Sequence, residues 1–281
     1  MHTMLDPRLL WTFVAIADTG SFTLAAERLN STQSTVSQHL GRLEAAVGQQ
    51  LIDRTARPVL PTPAGERLVG YARRLLALQD EARLLLADPA GTATIRIGVP
   101  DDVVTSAMSR RFADFASCHR EIRLDVTTGL SRNLSKRFRS GEFNIAIVKE
   151  KVADRDARAW FPEPLAWFEG EDRREPWPDP IPLVTFPAGG LYRDIMIDRV
   201  EQAGRHWYIA FTGNSLSSLV SVIGAGLGVS VLPISAITGP EIRPSSLFTP
   251  EPAMVISIYA WENSGLTGEL VAAMTQALSE R

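Results

Sequence analysis

The residues best suited to chemistry lie in one polar stretch near the N-terminus, residues 31–42, with the sequence STQSTVSQHLGR. The stretch is rich in hydroxyl and amide side chains and contains no acidic residue. Such groups can hydrogen-bond to DNA phosphates and to base edges in the major groove without charge repulsion. A solvated helix face is the alternative interpretation, so the neighbouring elements must decide. The side chains predicted to contact DNA from this stretch are Gln33, Ser34, Thr35, Ser37, Gln38 and Arg42.

Two predicted helices position that stretch. Apolar spacing predicts a short helix over residues 22–29, which Ala25 and Ala26 keep slim. After a polar break at 30–33, a second helix is predicted over 34–47, ending at Gly48. Two helices joined by so short a turn have helix-turn-helix geometry. An upstream helix that ends at Gly20 is expected to pack beneath them and complete their core. The second helix is predicted to bury one stripe: Val36, Leu40, Leu43 and Val47.

A two-stranded wing is predicted after the second helix, with strands at 51–52 and 59–60 around a loop at 54–58. Arg57 precedes Pro58 and is placed to enter a narrow minor groove, with Arg54 as a second contact, although an exposed loop arginine is the simpler alternative. The whole chain carries a formal charge of −3. DNA affinity must therefore come from a local patch, and residues 28–57 hold four arginines against two acids.

A long helix is predicted over residues 63–87, with Thr62 as N-cap and Pro63 in the first turn. Its apolar residues recur at alternating spacings of three and four, which is typical of a helix that pairs with a copy of itself. Packing on its own domain is the alternative. A homodimer would place two recognition helices on one face of DNA. The residues predicted to form the seam are Leu68, Tyr71, Leu75, Leu78, Ala82 and Leu85.

The pattern beyond a hinge at 88–91 alternates strands and helices, which predicts an α/β region with a parallel sheet and two lobes. The predicted domains are a DNA-binding domain at 1–62, a linker at 63–91 and an effector-binding domain at 92–281. Within the last domain, lobe I is assigned to about 92–163 and 262–281, and lobe II to about 164–261. The final strand (254–261) and the closing helix (266–278) are expected to return towards lobe I.

Ligands of such two-lobed folds bind where strand ends face the cleft. Three helices are predicted to begin there, and their positive N-terminal ends favour a carboxylate. Asp101 and Asp102 oppose an anion unless they only cap a helix, so an amphoteric or hydroxylated ligand suits the cleft better than a dianion. The residues predicted to bind an effector are Pro100, Asp101, Asp102, Thr128, Gly129, Ser131, Thr212, Asn214 and Ser215.

Other chemistry finds little support in the composition. The four histidines have no metal-ligand spacing and Cys118 is the only cysteine, so no metal or cofactor is expected beyond an unknown small-molecule effector. No apolar run approaches the roughly 20 residues of a membrane span, and no signal peptide is recognised. These features predict a cytoplasmic protein that is not an enzyme and has no membrane partner.

Residues 22–65 resemble the LysR-type transcriptional regulators through the pattern FxxAAERLNxxQSxVSxxLxxLExxVGxxLIxR followed by RPxxPTPAG. GEFNIAIV (141–148) and GAGLGVSVLP (224–233) are similar to that family's effector domain. The resemblance implies an all-α winged helix-turn-helix with a linker-helix dimer, often a tetramer, a periplasmic-binding-protein-like effector domain, and RNA polymerase as a further partner. It implies base contacts from Gln33, Ser34, Ser37, Gln38 and Arg57.

Position 38 is often arginine in that family, so Gln38 predicts an adenine contact and an A·T preference instead of a guanine contact. Two hypotheses follow for the whole chain. The favoured one is a DNA-binding regulator whose two-lobed domain senses a small molecule. The alternative is a cytosolic small-molecule-binding or catalytic α/β protein whose N-terminal module only mediates oligomerisation.

Overall fold

The computed structural model describes residues 5–87 and 93–281, with no side-chain description for residues 80, 81 and 83–87. The chain divides into two compact units, Met1–Ala93 with Arg139–Glu142, and Thr94–Phe138 with Phe143–Arg281. None of the helices in the described ranges is both long and apolar enough to cross a bilayer.

The N-terminal unit is helical apart from one small ribbon. Helices α1 and α3 both end in a left-handed glycine, Gly20 and Gly48, and Ser21 and Thr32 cap the starts of α2 and α3 through their hydroxyls. The predicted helices are therefore confirmed to within a residue or two. The elements are α1 (Pro7–Thr19), α2 (Phe22–Arg28), α3 (Gln33–Val47), β1 (Ile52–Asp53), β2 (Leu60–Pro61) and α4 (Pro63–Ala87).

The core of this unit lies between α1, α2 and α3. Phe13 and Ile16 of α1 are fully buried together with Leu40 and Leu43 of α3. Ala25 and Ala26 are buried as the slim first helix requires, while Val47 is only half-buried. Helix α4 also packs on this core, through Ala72 and Leu76. The heptad pattern did not assign that face.

The wing is an antiparallel β1–β2 ribbon, with each strand one residue later than predicted. Glu44 of α3 holds the ribbon, because its carboxylate accepts the N–H groups of Leu51 at 2.9 Å and Ile52 at 3.4 Å. On the other side, the N–H of Val59 donates to the carbonyl of Gly20 at 3.0 Å. The wing is thus fixed at both strands to the helices that it follows.

The C-terminal unit contains two lobes. In chain order, its elements are β3 (Ala93–Val99), α5 (Ser106–Cys118), β4 (Ile122–Thr128), α6 (Ser131–Arg139), β5 (Ile145–Glu150), β6 (Ala159–Glu163), β7 (Leu165–Gly170), β8 (Ile181–Thr185), α7 (Leu191–Gln202), β9 (Trp207–Thr212), α8 (Leu216–Gly224), β10 (Ser230–Pro233), β11 (Ile242–Pro244), β12 (Met254–Ala260) and α9 (Gly265–Ser279).

Lobe I is a five-stranded sheet in the order β4-β3-β5-β12-β6, covered by α5, α6 and α9. The pair β3–β5 is parallel as predicted, but β12 is antiparallel to both of its neighbours, so the sheet is mixed. The predicted end of lobe II at about residue 261 is wrong, because β12 lies between β5 and β6 in the sheet of lobe I. This position agrees with the expectation that the final strand returns towards lobe I. The physical reason is that its run MVISIYA is mostly buried, which requires a position inside a covered sheet.

Lobe II combines the antiparallel sheet β10-β7-β11 with the parallel pair β8–β9, which a bridge between Leu183 and Val229 connects. Trp167 is fully buried in its core. Helix α7 begins at Leu191, four residues before the predicted start at 195. The helix follows directly after the turn at Gly189–Gly190, and the first turn of α7 therefore lies at the cleft.

Gly65 gives a test of the N-terminal packing. A Cβ at Gly65 would lie 2.0 Å from the carbonyl oxygen of Leu51, whereas a Cβ at Gly41, in the middle of α3, meets nothing within 4 Å. Gly65→Ala should therefore destabilise the protein by about 2 kcal/mol through overpacking. Gly41→Ala should stabilise it by about 0.5–1 kcal/mol through helix propensity. Urea unfolding measures both, and equal midpoints for the two variants would contradict the packing.

Candidate functional site

The polar face of α3 lies on the surface of the N-terminal unit. Gln33, Ser34, Gln38 and Arg42 are exposed, and Thr35 and Ser37 are half-buried. The opposite face carries the buried side chains of the core. The surface predicted to read DNA is therefore available in this protomer instead of packed inside it.

The start of α3 is held by hydroxyl groups. The Thr32 hydroxyl accepts the N–H of Thr35 at 3.2 Å and shares hydrogen bonds of 2.9 Å with the hydroxyls of Ser34 and Thr35. The preceding turn passes through Asn30, whose φ of 48° is left-handed, a conformation that asparagine tolerates better than most residues. This turn and cap set the direction in which the exposed end of α3 points.

The two wing arginines have different surroundings. Arg54 forms an ion pair with Glu44 at 3.0 Å and lies 5.7 Å from the centre of the Phe22 ring. Within the described residues, the exposed Arg57 donates only to carbonyls of its own loop, those of Arg54 at 2.9 Å and Ala56 at 3.0 Å. The charge of Arg54 is thus offset by a carboxylate that also holds the wing, whereas no carboxylate in the described part of the chain pairs with Arg57.

Part of the predicted seam of α4 is exposed to solvent. Tyr71, Leu75 and Leu78 are 62%, 47% and 40% exposed, which is unusual for large apolar side chains on one helix face. Leu68 is half-buried and packs against the core of its own unit. Ala82 is exposed, and the side chain of Leu85 lies outside the described residues.

A cavity of about 330 Å³ lies between the two lobes of the C-terminal unit. Thr212 and Ser215 do not line it: Thr212 ends β9, and the Ser215 hydroxyl caps α8 by accepting the N–H of Ser218 at 3.3 Å. The other residues predicted to bind an effector meet at this cavity: Pro100, Asp101, Asp102, Thr128, Gly129, Ser131 and Asn214.

Further lining residues were missed by the sequence analysis. They come from the turn before α6, from the end of β5 and from the segment that leads into α7, whose start was predicted too late. One usable signal was Lys149, a lysine that directly follows the apolar run of β5. The missed residues are Leu130, Lys149, Phe186, Pro187, Gly190, Leu191 and Tyr192.

Lys149 belongs to a buried cluster of charges at the cavity wall. Its ammonium pairs with the carboxylate of Asp102, donates to the Tyr192 hydroxyl at 2.7 Å and lies 3.8 Å from Glu163. Arg281 completes the cluster, donating to the Glu163 carboxylate at 3.0 Å and to the carbonyl of Asp102 at 3.1 Å. Two cations therefore face two carboxylates, and the cluster has no net formal charge.

The two aspartates have different surroundings in the structure. Asp101 and Asp102 lie in a 3-10 turn, Asp101–Val103, and helix α5 starts only at Ser106, where Thr105 is the cap. The helix predicted to begin at the cleft after Asp102 is confirmed, but the separate turn before it was not predicted. Asp102 is an ion-pair partner and no cap, and Asp101 is exposed at the cavity.

Backbone N–H groups at two helix starts also face the cavity. The Ser131 hydroxyl, at the first residue of α6, accepts the N–H of Lys149 at 2.9 Å. The N-cap of α7 is Gly190, which has no side chain that could accept a first-turn N–H. The first-turn N–H groups at Ser131 and Leu191 are bonded to no acceptor in the described part of the chain. Burial, reinforced by the negative charges of Asp102 and Glu163, raises the pKa of Tyr192 well above its ordinary value.

Two family models match the chain. Residues 7–66 match the bacterial regulatory helix-turn-helix protein of the lysR family, and residues 90–280 match the LysR substrate binding domain. Among curated relatives, the HTH-type transcriptional regulator PecT of Dickeya dadantii (strain 3937) is 30% identical over 241 residues, covering 85% of this chain and 75% of PecT. The HTH-type transcriptional regulator DgdR of Burkholderia cepacia is 30% identical over 233 residues, covering 83% of this chain and 79% of DgdR.

Solved structures show the same fold. The full-length LTTR LysG from Corynebacterium glutamicum with bound effector Arg has a TM-score of 0.62 at 21% identity, covering 98% of this chain and 99% of LysG. ArgP from Mycobacterium tuberculosis has a TM-score of 0.60 at 21% identity and covers 98% of each chain. The winged helix-turn-helix, the two-lobed domain and these matches agree: the chain belongs to the LysR family of transcriptional regulators, with an N-terminal DNA-binding domain and a C-terminal effector-binding domain.

Proposed function

We propose that this regulator reads its operator through the exposed face of α3 and the wing residue Arg57, acting as a homodimer that pairs through α4 and can assemble further into a tetramer. We propose that a small amphoteric or hydroxylated carboxylate binds between the lobes and changes DNA binding. The acid-free polar surface of α3 is the observation that carries the proposal. A regulator on chromosomal DNA works in the cytoplasm, and RNA polymerase is its expected partner at a promoter.

The DNA contacts are supported by exposure and charge. Gln38 presents an amide, which can bond to both N6 and N7 of adenine, and no acid lies nearby on the face to repel phosphate. Arg57 is exposed, and among the residues that the structure describes no carboxylate pairs with it; such a cation suits a minor groove of strongly negative potential. To reach the groove, its side chain must release the two carbonyls of its own loop. Arg54 is the weaker candidate, because Glu44 holds it.

The dimer is supported by the two faces of α4. One face, with Ala72 and Leu76, is buried in the protomer's own core. The other exposes Tyr71, Leu75 and Leu78 at the spacing of a coiled-coil seam. Burying each such side chain against a second copy contributes about 1.5–3 kcal/mol, and these contributions support self-association.

The ligand class is supported by the groups that the cavity leaves available. Lys149 and Asp102 neutralise each other, so neither contributes an open charge. The remaining polar groups are the first-turn N–H groups of α6 and α7, which attract an anion, and the exposed carboxylate of Asp101, which attracts a cation or a donor. A ligand with a carboxylate at one end and an amino or hydroxyl group at the other satisfies both. The cavity volume of about 330 Å³ suits a small molecule.

Removing the Gln38 amide or the Arg57 guanidinium should weaken binding to DNA taken from upstream of the protein's own gene. Each loss should be about tenfold, equivalent to about 1.4 kcal/mol of base or groove contact. Gel shifts with Gln38→Ala and Arg57→Ala measure it, and Gln49→Ala, an exposed glutamine beyond α3, is the matched control. Wild-type affinity in both variants would refute these contacts.

Placing charges in the α4 seam should weaken self-association, since a carboxylate would have to be desolvated there. The double variant Leu75→Glu, Leu78→Glu should sediment as a smaller species than the wild type at about 10 µM, the concentration range in which moderate interfaces become half-occupied. Leu24→Glu alters a leucine of α2 that is 51% exposed and should leave the sedimentation coefficient unchanged. If the double variant sediments like the wild type, the α4 seam is not the dimer interface.

Ligand binding should raise thermal stability by mass action. At about 100-fold above its Kd, a ligand should raise the melting temperature by about 5–10 °C. The screen uses the twenty L-amino acids, lactate, malate, acetate and benzoate. Asp101→Asn should weaken the binding of compounds with an amino or hydroxyl group and leave the binding of acetate unaffected. If no compound raises the melting temperature of the wild-type protein, the proposed ligand class is wrong.

A further inference from the structure

The hydroxyl of Tyr192 accepts one hydrogen bond within the buried cluster and can donate another. Tyr192 lies in the first turn of α7, lines the cavity and is only 7% exposed. Its oxygen lies 2.7 Å from the Lys149 ammonium. An ammonium has three donors and no acceptor, so the tyrosine oxygen must be the acceptor in this bond. The phenolic proton is therefore left for a different partner.

No described residue accepts that proton. The neighbouring carboxylates are engaged elsewhere: Asp102 pairs with Lys149, and the two oxygens of Glu163 accept from Ser235 at 2.9 Å and Arg281 at 3.0 Å. Within the described ranges, Tyr192 makes only its bond to Lys149. A buried donor without an acceptor is unfavourable, and native structures rarely leave one without a partner or a role.

Lys149 already has two carboxylates beside it. Its ammonium pairs with Asp102, lies 3.8 Å from Glu163 and donates to the Tyr192 hydroxyl at 2.7 Å. A ligand carboxylate that approached the cation would be repelled by these carboxylates unless it took the place of one of them. The Tyr192 proton is available without any such exchange, and the raised pKa keeps it on the oxygen throughout the physiological range.

The same hydroxyl also joins the lobes. Lys149 lies near the end of β5 in lobe I, whereas Tyr192 lies in the first turn of α7 in lobe II. A second link between lobes, the ion pair of Arg132 with Asp194 at 2.7 Å, lies at the surface with side chains 59% and 45% exposed. An exposed pair of this kind contributes little, so the buried bond is the better-defined polar contact across the cleft.

We propose that Tyr192 is a specificity-determining residue of the effector site: its hydroxyl donates to an acceptor oxygen of the effector while it accepts from Lys149. The inference rests on the proposed function, that a small carboxylate occupies this cavity. An effector bound in this way contacts lobe II at the atom through which lobe II contacts lobe I. Compounds that offer no acceptor at this position leave the buried donor unpaired and are rejected.

The test compares Tyr192→Phe with Tyr208→Phe, which removes the hydroxyl of a 49% exposed tyrosine on β9. Each full-length variant is titrated calorimetrically with the compounds from the panel of L-amino acids, lactate, malate, acetate and benzoate that stabilise the wild type. Tyr192→Phe should raise the Kd about tenfold or more, the usual effect of losing a hydrogen bond to a charged group. Tyr208→Phe should leave the Kd unchanged. Circular dichroism checks that both variants fold.

A ligand-side comparison in the wild-type protein keeps the proposal testable even if Tyr192→Phe does not fold. The comparison uses a bound acid that has no other oxygen: its primary amide retains an acceptor oxygen and should still bind, while its decarboxylated analogue lacks one and should not. An unchanged Kd in folded Tyr192→Phe overturns the proposal and leaves the proposed ligand class standing. Undiminished binding of the decarboxylated analogue overturns the proposal and the ligand class together, because the carboxylate is then not needed. Absence of any stabilising compound in the panel overturns the ligand class and this inference together.

Discussion

The packing of α3 against α1 is the contact on which the DNA-binding surface depends. Leu40 and Leu43 are fully buried with Phe13 and Ile16, and each such burial contributes about 1.5–3 kcal/mol. Successive residues of a helix are rotated by about 100°, so fixing the apolar stripe inward fixes the polar side chains outward. Because Glu44 of the same helix also holds the wing, one packed interface orients both the exposed end of α3 and the arginine at the wing tip.

In the C-terminal unit, a buried cluster of charged side chains forms part of the cavity wall. Burying Lys149, Asp102, Glu163 and Arg281 has a desolvation cost that ion pairing only offsets, and such clusters seldom stabilise a fold more than apolar residues would. Their effect on the cavity is specific, however. They neutralise one another at its wall. The Asp101 carboxylate and the Tyr192 hydroxyl line the same cavity, and under the proposed function they select the ligand together with the backbone N–H groups.

Much of the N-terminal unit was predictable, since its signals are local. Gly20 and Gly48 end helices, Thr62 and Pro63 start α4, and alternating apolar spacings mark the faces that pack. The cleft was partly predictable, because loops that follow parallel strands gather at one edge of a sheet. The start of α7 and the separate turn at Asp101–Val103 were missed, since each depends on how a Gly- or Asp-containing turn is held by distant residues. Tyr71, Leu75 and Leu78 of the predicted α4 seam are exposed, and both the seam and the dimer stay predictions.

The sequence by itself determined the helix periods, the caps and the absence of acids along the recognition face, because each depends on residues within a few positions of one another. Only the tertiary structure decided which charged groups meet. Lys149 bonds to Tyr192 across 43 positions, and Arg281 reaches Asp102 across 179. The physical reason is that a buried charge takes whichever partner the packed lobes bring within hydrogen-bonding distance, and no local pattern in the chain encodes that meeting.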